Sequence, residues 1–228
     1  MSKLLSNILK HLIEDDKFVL KNSFEFKEKI ETLKISENES MVSFDIVSLF
    51  TNIPTNLAIQ VISEQWDKLK EITNIPRNIF FKMLRFTLVD ANYFSFNNVF
   101  YSQIYGMPMG NPLSSIIADI VTNILLCVSL NKLPLKPSCF FKYVDYMFTI
   151  LPTSHIESTL TALNNFHPKL KFTAETETNG RLAYLDILVI RNTNNTMDTD
   201  WYRKNTTSTR ILNYYSNHPN YQKFKHRT

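Results

Sequence analysis

The sequence predicts an α+β fold, an antiparallel sheet with helices packed on one face. Three observations predict it. Two apolar runs, MVSFDIVSLFTNIP at 41–54 and FFKYVDYMFTILP at 140–152, are rich in β-branched and aromatic residues, and a single acid breaks each. Around them, apolar residues recur at helical spacing. Asn97-Asn98 and Asn179-Gly180 are reversal signals between strand-like stretches.

Taken in order, residues 3–13 and 24–34 have helical patterning, with Asn22 or Ser23 as the cap of the second. A strand follows at 41–46. Pro54 and Thr55 open a helix over 55–70, with Leu57, Ile59, Val61, Ile62 and Trp66 on its apolar side. A helix over 76–88 starts at Pro76. ANYFSF and VFYSQI form a hairpin about Asn97-Asn98. The loop YGMPMGNP leads to a long apolar helix opened by Pro112 and reaching Leu130. Residues 140–152 read as strand, tight turn, strand, with Asp145 at the tip. A helix over 154–165, strands at 170–176 and 182–190 joined at Asn179-Gly180, and a strand at 197–203 follow. No segment repeats.

The 228 residues are 44% hydrophobic and 20% charged, which suits a globular chain with an ample core. A net charge of +4 permits an acidic partner such as nucleic acid without demanding one. Cys127 and Cys139 lack metal-ligand spacing and read as free thiols or, alternatively, one disulfide. The amphipathic opening is not a signal peptide. The run Ile116–Leu130 is interrupted by Asp119, Asn123 and Ser129 and is too short to span a bilayer. The expectation is an intracellular protein of nucleus or cytoplasm, with no membrane partner. Only three glycines occur, where average usage gives roughly sixteen. Two of them, Gly106 and Gly110, share one loop, as positive φ or a close approach would require.

Asp45 and Asp145 carry the chemistry. A carboxylate left unpaired in a strand core costs several kcal/mol or is neutralised, so each belongs at a strand end facing a cleft or a cation. An ion-paired acid or helix cap at 45 and an ordinary turn acid at 145 are the plainer readings. Two carboxylates brought together by folding form a hard oxygen site suited to Mg²⁺. Two such ions, about 3.5–4 Å apart, activate a 3′-hydroxyl and stabilise a departing pyrophosphate.

FDIVSLFTNIP, GMPMGNPLS and YVDY resemble three successive palm motifs of reverse transcriptases. The wording is closest to Penelope-like retroelements, whose motifs typically read FDVVSLFTNIP, GxxMGxPLS and YVDD. AYLDILVIR, WYRKNTTSTR and YYSNHP resemble that group's FLD, YRKxT and SNHP segments, so the resemblance covers nearly the whole chain. It implies a palm-type sheet and an RNA-directed DNA polymerase acting on an RNA template, a DNA primer and deoxynucleoside triphosphates, with Mg²⁺ or Mn²⁺. It divides the chain into a helical lead-in at 1–40, a palm at 41–192 and the start of a thumb or connection at 193–228.

By the same resemblance, Asp45 and Asp145 match the metal-binding acids, and Phe50 matches the aromatic gate that excludes a 2′-hydroxyl. Gly106, Met109 and Gly110 match the nucleotide-contacting loop, and Pro112, Leu113 and Ser114 the template and primer contact. Lys171 is the candidate general acid toward pyrophosphate. Plainer readings stand beside these. Phe50, Met107 and Met109 pack, the glycines serve turns, and Lys171 is a solvated strand-edge lysine. Arg203, Lys204 and Arg210 track phosphates or are simply solvated, and Lys223, Lys225 and Arg227 form a frayed basic tail.

The chain departs from the family's pattern at Tyr146, where the second hairpin acid belongs. Tyrosine, with a pKa of about 10, is neutral at pH 7 and is a poor hard-cation ligand. Finger strands, a full thumb and a GIY-YIG nuclease are not recognisable. The expectation is a palm-centred fragment or decayed copy of low or absent activity. A non-catalytic palm that binds a duplex, or a relic, is the alternative.

Overall fold

The computed structural model describes residues 1–13, 18–133, 136–204, 215–217 and 219. Arg210, Lys223, Lys225, Arg227, residues 205–210 of the WYRKNTTSTR segment and residues 214 and 218 of YYSNHP lie outside the described residues. Helices α1 (Ser2–Lys10) and α2 (Ser23–Ile30) precede strand β1 (Glu39–Ile46). Asn22 caps α2, its side-chain oxygen accepting from the Glu25 N–H at 3.0 Å. A one-turn helix, α3 (Leu49–Asn52), then leads to α4 (Thr55–Glu64), α5 (Trp66–Leu69) and α6 (Arg77–Arg85), which runs into a π-type turn at Phe86–Asp90. The helix expected over 55–70 is therefore two. Gln65 leaves helical geometry (φ −94°, ψ 9°), and the Trp66 ring lies 5.4 Å from Phe80 and 5.7 Å from Phe81.

The hairpin of β2 (Tyr93–Phe96) and β3 (Val99–Ser102) comes next. Both Asn97 and Asn98 have positive φ (50° and 61°), the pattern of the primed turns that match strand twist. Helix α7 (Pro112–Asn131) is followed by β4 (Cys139–Tyr143), β5 (Tyr146–Pro152), α8 (Ile156–Asn164), β6 (Phe172–Thr176), β7 (Arg181–Tyr184), β8 (Ile187–Arg191) and β9 (Met197–Trp201). The strand expected over 182–190 is split. Leu185, at φ 55°, turns the chain, and β7 and β8 pair antiparallel with Tyr184 opposite Ile187.

Strands β4, β5, β1 and β6 form one antiparallel sheet in that order, and β7, β8 and β9 form a second. The first sheet has two covered faces, set by the period-2 alternation of its strands. Val42, Phe44 and Ile46 of β1, Met147 and Leu151 of β5 and Phe172 of β6 face the helices and share a core with α1, α4, α6, α7 and α8. Met41 of β1, Phe148 and Ile150 of β5 and Phe141 of β4 face the other way. They meet Phe26 and Ile30 of α2 and Leu182, Tyr184, Ile187 and Val189 of the second sheet. The expected helical layer is present, and the second sheet with α2 covers the opposite face.

Helix α7 is the central helix of the first core. Its 20 residues are long and apolar enough, by length and composition, to cross a membrane, which corrects the shorter span read from sequence. Here 56% of its most apolar stretch is buried within the protein. Lys142 of β4 ties the sheet to this helix. Its fully buried ammonium donates to Asp119 (3.0 Å), Thr122 (3.0 Å) and Asn123 (2.6 Å), one face of a single helical turn. Two of the polar breaks in the α7 run, Asp119 and Asn123, are thus ligands of a buried cation, as a buried charge requires. Arg191 of β8 plays the matching part for the second sheet, pairing with Glu177 and donating to the Glu39 carbonyl at 2.6 Å.

Candidate functional site

The strand β1 alternates its side chains so that Met41, Ser43 and Asp45 share the face covered by the second sheet. Met41 is fully buried and Ser43 is 1% exposed, whereas Asp45 is exposed beyond the edge of the cover. Register then fixes its neighbours. Asp45 lies opposite Tyr146 on β5 and opposite Thr173 on β6. The two-residue turn Val144-Asp145 immediately precedes Tyr146, and the Ile46 N–H donates to the Asp145 carbonyl at 3.1 Å. Two aspartates a hundred positions apart in sequence therefore stand side by side at one end of the sheet.

They line a cleft of about 670 Å³ with Ser43, Phe50, Tyr143, Glu175, Tyr202 and Lys204 among its other walls. Neither carboxylate is in an ion pair among the described residues. Partial burial raises the pKa of Asp45 above its ordinary value, and the adjacent Asp145 charge raises it further. An Ile46 hydrogen bond and the Lys204 charge oppose that shift. Two unneutralised carboxylates in a half-enclosed cleft form an electrostatic deficit that a divalent cation relieves. Their hard oxygens fit Mg²⁺ or Mn²⁺.

The turn that carries Asp145 is strained. Val144 has φ 56°, in the left-handed region that a β-branched residue seldom enters. Such geometry costs on the order of 1–3 kcal/mol and clusters at functional sites.

The glycine loop is docked against the same corner. The Met107 N–H donates to the Phe50 carbonyl at 2.7 Å, and Met107 is fully buried. The two glycines serve different needs. At Gly106 (φ 76°) an added Cβ would lie 2.7 Å from the Thr51 carbonyl oxygen, so the backbones themselves touch. Gly110 (φ 87°) has open space around it and is required only for its backbone conformation. Asn111 then caps α7, accepting from the Leu113 N–H at 3.0 Å, with Pro112 at the first helical position.

Phe50 borders both the acid cleft and a shallow pocket formed by Met109, Gly110, Asn111, Pro112, Ser114 and Ser115. Met109 is 74% exposed, which excludes it as a packing residue. Leu113 and Ser114, candidates for template contact, are buried. Leu113 belongs to the first core, and the Ser114 hydroxyl donates to the Pro108 carbonyl at 2.7 Å, so their part is to hold the loop. Lys171 does not line the cleft. Its ammonium donates to the Asn164 carbonyl at the end of α8, at 3.2 Å, while its own carbonyl accepts from the Val47 N–H. Among the described residues, the cation on the cleft wall is Lys204.

Tyr146 is integrated rather than stray. Its ring stacks on Tyr184 at 4.8 Å, and its hydroxyl lies 3.3 Å from the Ser43 hydroxyl and 3.2 Å from the Ala183 carbonyl. The Tyr184 hydroxyl donates to the Tyr146 carbonyl at 2.9 Å. Burial raises the Tyr146 pKa further above its ordinary value, so the phenol is neutral. Sequence reasoning missed Glu175, Tyr202 and the Lys142 cluster. Strand parity places Glu175 on the face of Thr173, but only the pairing of β6 with β1 shows that this face is the cleft.

No protein-family model matches the sequence, and no curated protein does. Among solved structures, an apo telomerase from Candida tropicalis, truncated from its C-terminal domain, is similar over 88% of this chain and 44% of its own, at 13% identity and a TM-score of 0.64. A Candida albicans telomerase in complex with a fragment of telomeric RNA matches over 86% of this chain and 38% of its own, at 14% identity and a TM-score of 0.64. The BmCPV RNA-dependent RNA polymerase at elongation state matches over 83% of this chain and 19% of its own, at 14% identity and a TM-score of 0.61. The chain spans less than half the length of these structures. At such identities the likeness is one of fold: an antiparallel sheet with a helical layer, in the arrangement found in nucleic-acid polymerases.

Proposed function

We propose that the chain is the palm of an RNA-directed DNA polymerase, of the kind carried by Penelope-like retroelements. The observation that carries this reading is the convergence of Asp45 and Asp145 on one cleft beside Phe50 and the glycine loop, in a fold shared with polymerases. Order and spacing of the motifs in the sequence support the reverse-transcriptase branch. Asp45 and Asp145 would hold Mg²⁺ or Mn²⁺, which when bound neutralises the triphosphate charge. Phe50, on the cleft wall, would set the width available at the sugar. The 106–110 backbone, held against α3 at Phe50 and Thr51, gives the nascent pair a rigid floor. Lys204 faces the cleft as the cation nearest to Asp45 among its lining residues.

Primer extension tests the reading, with an RNA template, a DNA primer and deoxynucleoside triphosphates in Mg²⁺ and in Mn²⁺. The expected result is slow incorporation that Asp45→Asn and Asp145→Asn each abolish. Incorporation indifferent to both substitutions would remove the cleft from the chemistry.

Tyr146 favours a second reading, a palm that binds a primer–template duplex without extending it. In that case duplex affinity falls steeply as salt rises, since phosphate contacts release counterions. No nucleotide is then added under any condition.

A further inference from the structure

We infer that the β2–β3 hairpin is the contact through which two copies of this chain associate. Such a contact is independent of the chemistry of the acid cleft. The hairpin is a two-stranded sheet of its own. None of its side chains belongs to either core, and every residue of both strands is exposed. Register sorts the side chains onto two faces. Phe94 lies opposite Tyr101, their rings stacked at 5.5 Å, and Phe96 lies opposite Val99 on the same face. Tyr93 and Phe100, 6.3 Å apart, share the other face with Ser95 and Ser102. Exposure runs from 44% at Tyr101 to 75% at Phe100 among these apolar side chains. A lone hairpin with both faces wet is marginal in water. This one is rooted at its base. The side-chain amide of buried Asn92 donates to the Leu88 and Gln103 carbonyls at 3.3 and 3.4 Å, and its own carbonyl accepts from the Gln103 N–H at 2.9 Å. The ribbon is held out into solvent with apolar surface to cover.

Chemistry selects the occupant. No charged residue occurs between Asp90 and Asp119, in a chain that is 20% charged. Nucleic acid is held on aromatic platforms with the help of cations, and the hairpin's own sequence offers none. Uncharged, aromatic surface is instead the composition of a protein–protein interface core. The strands also lack the lysine or proline that ordinarily keeps an open edge from pairing with another chain. With no charge to select a foreign partner, the patch complements itself, as a two-fold contact requires. Two copies that each carry a net charge of +4 repel, and they meet at least cost where neither bears charge. Phe86 and Val89, in the turn just before the hairpin, are exposed as well. Scaled from about 150–250 Å² per buried aromatic side chain, the whole patch offers roughly 800 Å² per copy, one partner's share of a standard interface.

Sedimentation equilibrium of the full chain across a dilution series is the test, beside Phe94→Glu and Phe100→Glu, one on each face. The parent is expected to dimerise reversibly at roughly micromolar concentration, the weak end for an interface of this area. Phe94→Glu places like charges across the contact and should weaken self-association by about tenfold or more. Its melting temperature under monomeric conditions should stay that of the parent, because the ring belongs to neither core. A parent that is still monomeric at about 100 μM overturns the inference. So does a dimer that persists in both variants, which places the contact elsewhere. A monomeric parent whose affinity for single-stranded RNA or DNA is lost in Phe94→Glu also overturns it, and gives the ribbon to nucleic acid. None of these results touches the polymerase reading, which primer extension decides.

Discussion

Two turns in this molecule have the same local design and different fates. Tyr143-Val144-Asp145-Tyr146 joins β4 to β5, and Tyr184-Leu185-Asp186-Ile187 joins β7 to β8. In both, a tyrosine enters, a bulky apolar residue takes positive φ (56° at Val144, 55° at Leu185), and an aspartate follows. Both apolar residues line the cleft. Yet Asp145 stands beside a second acid, whereas Asp186 accepts from the Ser23 hydroxyl at 3.3 Å and its carbonyl takes the Tyr202 N–H at 2.8 Å. The local sequence makes the turn. The partner strand decides whether the acid at its tip is chemistry or capping: β5 pairs with β1, whose last residues include Asp45, and β8 pairs with β9, which offers Trp201 at that level.

Each hairpin is moored by one cation, and breaking the moorings gives the largest expected difference. Lys142 is fully buried against α7, and removing one member of a buried pair costs about 3–5 kcal/mol. Arg191 is 20% exposed and shares its load among Glu177 and two backbone carbonyls, so Arg191→Ala should cost about 1.5–3 kcal/mol, the range for charged hydrogen bonds. Urea unfolding of Lys142→Ala and Arg191→Ala measures both. A smaller loss at Lys142 than at Arg191 would mean that α7 and the β4–β5 hairpin are held together by apolar packing alone.

The acids themselves give the next contrast. Asp145→Asn should weaken Mn²⁺ binding by about 100-fold or more, beyond the 10–100-fold typical of outer-shell losses, while Asp186→Asn leaves it unchanged. The pH dependence sharpens this. The Asp45 pKa is raised first by burial and then by Asp145, so its proton competes with the cation from the ordinary carboxylate value of 3.8 upward. Cation affinity should therefore fall on acidification at a higher pH than an ordinary carboxylate would give. In the ion-free protein the sign reverses. A raised folded-state pKa favours the fold at low pH, and that contribution is lost as pH rises through the folded pKa. Asp145→Asn should move the Asp45 transition downward in the ion-free protein, and Asp186→Asn should not. Thermal melts across that range, without metal, would report a transition that ignores Asp145 if the two acids are not coupled.

The comparison also shows what was legible in the sequence. An apolar run broken by one acid marks the turn at Val144-Asp145, and the same signature is present in LAYLDILVI. There a continuous strand is the natural reading, because Leu182 to Ile190 alternates well enough to be half-buried along its whole length. Only the pairing of Leu182 with Val189 closes the hairpin. The helices, the Asn97-Asn98 hairpin and the glycine loop rest on local chemistry and are readable. The partnership of Lys142 with Asp119, Thr122 and Asn123 is not, since it depends on how α7 is rotated against β4. Lys171 fails as a cleft residue for a related reason. Its ammonium reaches away to the Asn164 carbonyl at the end of α8, a contact that no motif spacing records.

Relieving the strain in each turn gives the smallest effect and the sharpest discrimination. Positive φ costs an L-residue about 1–2 kcal/mol, and glycine removes that cost. Glycine also enlarges the unfolded ensemble, which takes back about 0.4–1 kcal/mol. Val144 is β-branched and 38% exposed, so little packing is lost and Val144→Gly should stabilise the fold by about 0.5–1 kcal/mol. Leu185 packs against the second core, and the loss of that contact should cancel the relief, leaving Leu185→Gly neutral or destabilising. Function should run the other way at the first turn. A glycine there frees the backbone that holds Asp145 beside Asp45, so cation affinity should drop even as the melting temperature rises. That pairing of opposite effects is the mark of strain retained for a site, as opposed to strain inherited from a tight connection. If Val144→Gly raises stability and leaves Mn²⁺ affinity untouched, the two turns are alike after all, and the left-handed valine is a by-product of hairpin closure.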